Sequence, residues 1–314
     1  MKNIILDTDI GPDCDDAAAV AMLNIYANRG LCRILGISHC TSNPYGAGTI
    51  DVICRYYGRK DAVISTYYGE SFLENCMAYN KYITTHYPNR YQEEQPEDAV
   101  KMYRRILAGQ EDKSVEFIAI GPLRNLSNLL NSGPDEYSPL DGIALVEKKV
   151  SRLTIMGGIF RGTSEKISER VEEYNRGKKI EETAEWNVES DIPAARNVAD
   201  NWHTPKVFAG LEAGMILTGG NLKTEVEEDH PVRLAYSLWS SKGCRYSWDL
   251  VAVECAVDES SPHYRKSPNA SIRFDEMGRT LCEFTEDGMD CYIELAQPDE
   301  MIIKDLNDLL IGGK

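Results

Sequence analysis

Five carboxylates fall close together near the start of the chain: Asp7, Asp9, Asp13, Asp15 and Asp16. They stand where the apolar run Ile4-Ile5-Leu6 gives way, through Gly11-Pro12, to a second apolar run over residues 17–28. A short apolar run bounded by turn residues reads as a buried parallel strand. The Gly-Pro pair reads as a turn and the second run as a helix. Any fold of this chain therefore gathers the acids where a strand hands over to a helix. Carboxylates this close repel one another strongly in a partly dry site. A helix N-terminus offsets only ~0.3–1 kcal/mol per charge. A hard divalent cation offsets far more, and a ligand set made only of oxygen points to Ca²⁺ or Mg²⁺. An acidic N-cap would need Asp15 alone.

The rest of the first half repeats the strand-helix alternation. Residues 33–38 and 62–65 read as strands with a helix over 46–57 between them, and 115–120 as a strand after a helix over 99–107. Strands are also expected over 153–156 and 206–210, and an apolar helix after Arg245 that ends near Ala256. This spacing predicts an α/β fold: a mostly parallel central sheet with helices on both faces. From 271 to 295 the pattern shifts to alternating strands with turns at Gly278 and Gly288, read as a small antiparallel C-terminal appendage, and 299–311 reads as an amphipathic helix. Residues 133–149 read as a connection, and 161–183 as a charged, mobile surface excursion. The polar, tyrosine-bearing stretch 70–96 is either a lid or surface helix and loop. There is no repeat or clean boundary, so one domain over 1–314 is expected.

In open α/β sheets ligands bind beyond the carboxyl ends of the strands. Residues 7–16 and 39–43 lie at such ends, which makes His39 and Asn43 candidates, although a lone His is more often structural. Met156-Gly157-Gly158 ends another strand, and the paired glycines permit close backbone approach to a ligand.

Charge and cysteines narrow the function classes. A net charge of −16 over 314 residues argues against nucleic-acid or anionic-membrane partners, which need a basic footprint. The nine cysteines contain no CxxC pair, so neither a disulfide framework nor a zinc cluster is indicated. No apolar run approaches the ~18 residues of a membrane span, and no signal-peptide pattern opens the chain. A reducing cytoplasm is the expected location.

The acidic stretch resembles the N-terminal signature of the nucleoside hydrolase family, Asp-x-Asp-x-Gly-x-Asp-Asp after the first strand. That pattern has one residue between the glycine and the paired aspartates. Here there are three: Pro12, Asp13 and Cys14. Gly121-Pro122-Leu123-Arg124-Asn125 is similar to the family's Gly-x-Leu-Thr-Asn segment, with Arg124 in place of Thr. Ala184-Glu185-Trp186-Asn187, followed by Asp191-Ile192-Pro193-Ala194-Ala195, resembles the family's Ala-Glu-Phe-Asn and Asp-Pro-x-Ala-Ala segments. The family also has an Asn shortly before that Glu; here Lys179 stands in that region. Near the helix after Arg245, the family's His-Asp pair is replaced by Trp248-Asp249.

The resemblance implies a site. Ca²⁺ would be held by Asp9, Asp16, Asp249 and the Ile120 carbonyl, and Asp9 would be the general base that activates water. Asp15, Glu185 and Asn187 would hold ribose hydroxyls, a carboxylate and an amide being suited to bracket a vicinal diol. Asn43 and Met156 join the substrate set, and Asp7 would orient its neighbours from behind. The reaction implied is hydrolysis of the N-glycosidic bond of a ribonucleoside or related riboside, by a homodimer or homotetramer. Trp248 has no proton to give near neutral pH, so the family's leaving-group acid is unassigned; Trp248 would instead stack on a nucleobase. Either His39, Cys14 or a tyrosine of 70–96 supplies the proton, or the enzyme accepts mainly substrates whose leaving group needs no strong acid, and with no replacement acid at the matching position the second is the expectation. Two rivals remain. One is a Mg²⁺-dependent haloacid dehalogenase-type phosphatase, which wants Thr or Val where Gly11 stands. The other is a ribose- or nucleoside-binding protein that has kept the metal site and lost the acid.

Overall fold

The computed structural model describes residues 1–160, 171–174, 177, 179 and 182–313. The first apolar run becomes the middle of strand β1 (Lys2–Thr8), in which Ile4, Ile5 and Leu6 are fully buried. Side chains alternate across a strand, so Ile4 and Leu6 enter the core on one face of the sheet and Ile5 the core on the other. Burying each of these side chains is worth about 1.5–3 kcal/mol, which fixes β1 centrally.

The remaining strands are β2 (Cys32–His39), β3 (Ile64–Thr66), β4 (Glu97–Asp98), β5 (Val115–Ala119), β6 (Val150–Met156), β7 (Lys206–Ala209), β8 (Leu217–Thr218), β9 (Arg245–Tyr246), β10 (Tyr264–Lys266), β11 (Ala270–Phe274), β12 (Thr280–Phe284) and β13 (Cys291–Leu295). Nine of them form one sheet in the order β10-β13-β7-β6-β5-β1-β2-β3-β4. Every pairing in it is parallel except β10 with β13. The chain winds from β1 out to β4 and then returns to lay β5 on the other side of β1. That reversal leaves a crevice at the carboxyl ends of β1 and β5, the place where such sheets bind ligands.

Two helices bring the acids to that crevice. The first, α1 (Asp15–Asn28), is buried from Asp15 to Tyr26 and packs against the helix Trp248–Val257, which is buried along its whole length. The N-terminus of one helix is thereby set beside that of the other, although Asp15 and Asp249 are far apart in sequence.

The expected α/β architecture is the observed one, with local differences. The stretch 133–149 is not all connection: its second part is the helix Gly142–Lys149, capped by Asp141, whose side chain accepts from Ala144 N at 2.8 Å. The C-terminal appendage is smaller than expected. Only β11 and β12 form a separate antiparallel hairpin, while β13 adds to the central sheet parallel to β7. The buried Tyr292 and Ile293 of β13 explain this, since both enter the main cores. The segment 70–96 carries the short helix Asn80–His86. Most of the excursion 161–183 lies outside the described residues. No described helix is long and apolar enough to cross a membrane.

Candidate active site

Asp7, next to last in β1, is fully buried. Its Oδ2 accepts from Tyr103 and from Asn125 Nδ2, the latter at 2.9 Å. Burial raises its pKa to about 7, against the lowering effect of these bonds. Its backbone oxygen accepts from Ile120 N at 2.8 Å, which clamps the end of β5 to the end of β1. Gly121 follows at the closest point. A Cβ there would lie 2.7 Å from Asp9 Oδ1 and 2.8 Å from Asp9 N, so only glycine lets Asp9 sit beside the Ile120 carbonyl segment. Thr8 locks the other side: its hydroxyl donates to Asp16 and accepts from Ile10 N at 3.1 Å.

These ends open onto a cavity of about 530 Å³. Asp9, Asp13, Asp15, Asp16, Ile120, Met156, Glu185, Asn187, Trp248 and Asp249 all line it. Sequence reasoning thus placed nine side chains or carbonyls that the structure brings to one cavity, and Asp13, left without a role, joins them. Asp13, Asp16 and Asp249 each bring a carboxylate oxygen within 4.8 Å of the others. The trio expected from the resemblance had Asp9 where this one has Asp13; Asp9 lines the same cavity. Burial, then the neighbouring acid charges, holds Asp9, Asp15, Asp16 and Asp249 well above the ordinary carboxylate range. Asp15 accepts from Asp249 N at 3.3 Å through one oxygen, while the other is buried without a hydrogen bond, with only Arg245 Nε at 4.0 Å. An orphaned carboxylate oxygen among crowded acids fits a hard divalent cation, whose charge removes the repulsion and whose ligands are oxygens.

On the opposite side, Glu185 precedes the short helix Trp186–Ser190 and accepts from the N–H groups of Asn187 and Val188 at 2.9 and 3.3 Å. Burial nevertheless lifts it to about pKa 7. Asn187 Nδ2 points to the carbonyls of Met156 and Ile120, at 3.3 and 3.5 Å. This amide therefore ties the ends of β5 and β6 to the short helix Trp186–Ser190. Arg124, which stands where the family pattern has Thr, pairs with Asp191 at 2.5 Å and lies over the Phe72 ring. It anchors the following helix Ile192–Asn201, whose N-cap is Asp191.

Other expected residues lie elsewhere. Asn43 is buried outside the cavity lining, its side chain donating to the Cys76 carbonyl and accepting from Tyr45 N. His39 is enclosed between Thr66 and Thr41, and burial lowers its pKa to about 3. Cys14 is buried, and burial and the adjacent aspartates raise its thiol far above the usual range. No residue of 70–96 lines the cavity. None of these proposed proton donors therefore reaches the site among the described residues. Asp7 also stays behind the lining, consistent with a supporting place.

Trp248 is nearly buried and its indole N–H donates to the Leu211 carbonyl at 2.8 Å. Gly214 makes this possible, because a Cβ there would lie 2.4 Å from the Trp248 Cα. Arg245, Trp239, Tyr174 and Met277 also line the cavity. The sequence offered no pattern to single them out, since they come from four separate segments.

A family model described as inosine-uridine preferring nucleoside hydrolase matches residues 4–290. The chain belongs to that family. It is accordingly an enzyme of the N-ribosyl hydrolase class, and the phosphatase rival falls away. Solved structures agree on the fold. The inosine-uridine preferring nucleoside hydrolase of Bacillus anthracis is 18% identical, with all of both chains covered and a TM-score of 0.70. The purine-preferring ribonucleoside hydrolase of Gardnerella vaginalis is 16% identical, with 99% of this chain and 98% of that one covered and a TM-score of 0.73. The type III effector protein XopQ, solved with adenosine diphosphate ribose, is 14% identical, with 99% and 94% covered and a TM-score of 0.72. No curated protein matches the chain.

Behind Glu185, sequence reading also missed Glu212, buried just past β7. One of its oxygens accepts from Phe160 N at 3.3 Å and the other has no partner. Burial raises its pKa from 4.5 to about 8. The native state thus keeps a proton that the unfolded chain loses above pH 4.5. Stability is full below that pH and falls as pH rises towards about 8, by at most about 1.4 kcal/mol per pH unit. Glu212→Gln removes the titrating proton, so its melting temperature should gain on the parent's progressively from pH 5 to 8. A constant difference across that range would show that Glu212 titrates normally.

Proposed function

We propose that the protein hydrolyses the N-glycosidic bond of ribonucleosides in a Ca²⁺-dependent reaction, releasing ribose and the free base. The observation that supports this most is the convergence of Asp9, Asp16, Asp249 and Ile120 with Asp15, Glu185 and Asn187 on one cavity. Asp9, Asp16 and Asp249, the Ile120 carbonyl and the newly placed Asp13 are the groups that would hold the cation. When bound, Ca²⁺ supplies a positive template and Lewis acid for water and the ribose diol.

The chain's own residues do the rest. Asp15, Glu185 and Asn187 hold ribose hydroxyls, which fixes C1′ within the cavity. Asp9, a carboxylate at the cavity wall, takes the proton of the attacking water as general base. As the bond to the base breaks, positive charge develops on the sugar, as in glycoside hydrolysis generally, and the surrounding carboxylates stabilise it. Trp248 walls the base side as an aromatic face.

Chromatography of products from a panel of purine and pyrimidine nucleosides tests the reading. Free base and ribose should appear with Ca²⁺ and stop on chelation. Asn187→Ala should lower turnover by the same factor whatever the base, because its contacts lie on the sugar side; loss confined to one base would move Asn187 out of the ribose site. A second reading, binding without turnover, rests on Trp248, which stands where the family has its leaving-group acid and whose indole N–H is already bonded to the Leu211 carbonyl. Saturable nucleoside binding with no product over the whole panel would decide for it.

A further inference from the structure

The cavity is lined by eight acidic side chains, Asp9, Asp13, Asp15, Asp16, Glu182, Glu185, Glu189 and Asp249, and among the described residues by one basic one, Arg245. Arg245 is held tightly. Its Nη2 and Nε donate to Asp13 Oδ2 at 2.7 and 3.2 Å, and its Nε lies 4.0 Å from Asp15 Oδ1. The guanidinium sits between two indoles, 4.8 Å from the Trp239 ring centre and 4.5 Å from that of Trp248. Trp239 is itself fixed by a bond from its N–H to the Pro12 carbonyl at 3.1 Å. Asp13 occupies one edge of the guanidinium. Among the described residues nothing accepts from Nη1, so the edge formed by Nη1 and the second N–H of Nη2 keeps its donors.

Pairing with Asp13 explains why Arg245 is there, but not why it is clamped between two aromatic faces at the wall where the resemblance expects an acid. Trp248 has no proton to give, and its N–H is already used. The leaving base nevertheless takes the bonding electron pair, and among the described side chains lining the cavity Arg245 is the one positive charge to meet it. We propose that Arg245 is the leaving-group residue of this enzyme: it stabilises the departing aglycone as an anion instead of protonating it. This rests on the hydrolase reading above.

The step balances without another reactant. The C1′–N bond breaks with both electrons going to the base nitrogen. Water oxygen bonds to C1′, and its proton passes to Asp9 and then to solvent. The base anion leaves against the Arg245 charge and takes a proton from solvent afterwards. Arginine suits this role because it stays charged, and its edge presents two parallel donors. Aglycones that are stable as anions should therefore be the favoured leaving groups.

Two measurements test the proposal, both at saturating Ca²⁺. The first is calorimetric binding of 4-nitrophenolate against its uncharged analogue nitrobenzene, at a pH where the phenol is ionised. The parent should prefer the anion by about tenfold, the order expected of a charge-assisted hydrogen bond, and Arg245→Gln should lose that preference. The second is kcat/KM on inosine and on 4-nitrophenyl riboside. Arg245→Gln should lower the inosine value by about 10²-fold, as for removal of one donor to a developing anion, and the activated riboside value much less. Arg245→Lys, which keeps the charge, should retain part of both. Retained anion preference in Arg245→Gln would assign the preference to the cation and overturn the proposal. An equal fall on the two substrates would leave Arg245 as the tether of Asp13 only, and also overturn it. A parent that turns over no riboside defeats the hydrolase reading, and the binding measurement still decides for or against Arg245.

Discussion

Asp16→Asn is expected to melt above the parent in chelator and below it in Ca²⁺. In the parent, Asp16 is buried beside Asp9 and Asp13, and its carboxyl is held far above the ordinary range by burial first and by those charges second. Without a cation, ionising it at neutral pH costs stability, because the unfolded chain carries the charge freely. Asn keeps an oxygen to accept the Thr8 hydroxyl and removes the charge, so the variant should melt higher than the parent in chelator. With Ca²⁺ the order should invert. A ligand that binds only the native state adds about 2.7 kcal/mol when present at a hundred times its dissociation constant. Loss of a carboxylate ligand should weaken Ca²⁺ by more than the ~10–100-fold typical of residues that merely support a ligand. Turnover should fall with it, since water and diol lose their template. Thermal melts with and without Ca²⁺, beside a calorimetric titration, check both signs. Equal titrations for variant and parent would remove Asp16 from the ligand set.

The elements that sequence reasoning located well share a cause. β1, α1 and the helix Trp248–Val257 are buried along most of their length, so they read as apolar runs, and their ends follow from turn and charge signals. Asp9 and Asp16 sit at those ends and were legible for that reason, whereas Asp249, which its position alone offered only as an N-cap, was singled out by the resemblance. What was not legible depends on contacts between distant segments. Arg245 meets Asp13 across more than two hundred residues, and nothing near Arg245 in sequence announces an acid partner. Asn43 was drawn to the site by its place at a strand end, yet its side chain is used to close the turn before the helix Gly46–Tyr56. His39 sits at the end of β2 for the same topological reason, but two threonines enclose it. The C-terminal strands alternate like a free hairpin, and only the pairing of β13 with β7 reveals that one of them belongs to the main sheet. Topology names the end of the sheet where a site forms; it does not say which side chains at that end turn into the cavity.

Asp9→Asn should separate water activation from leaving-group departure. Asp9 lines the cavity beside the Ile120 segment, where Gly121 leaves room for its carboxylate. Asn occupies the same space and cannot take a proton. General base catalysis is typically worth ~10²–10⁴-fold, so kcat should fall by that order. The fall should be the same for inosine and for 4-nitrophenyl riboside, because both need the same water at the same carbon. This is the opposite of the pattern expected for Arg245→Gln, which penalises the poorer leaving group. In the double variant the two losses should multiply on inosine only if the residues act on separate partners; residues that share a network depart from additivity. Asp13 links Arg245 to the acid cluster, so some coupling is expected there, and its size measures how far the leaving-group side feels the water side. A loss for Asp9→Asn that is large on inosine and absent on the activated riboside would mean that Asp9 serves departure of the base, and the assignment of the general base would have to pass to another carboxylate of the cluster.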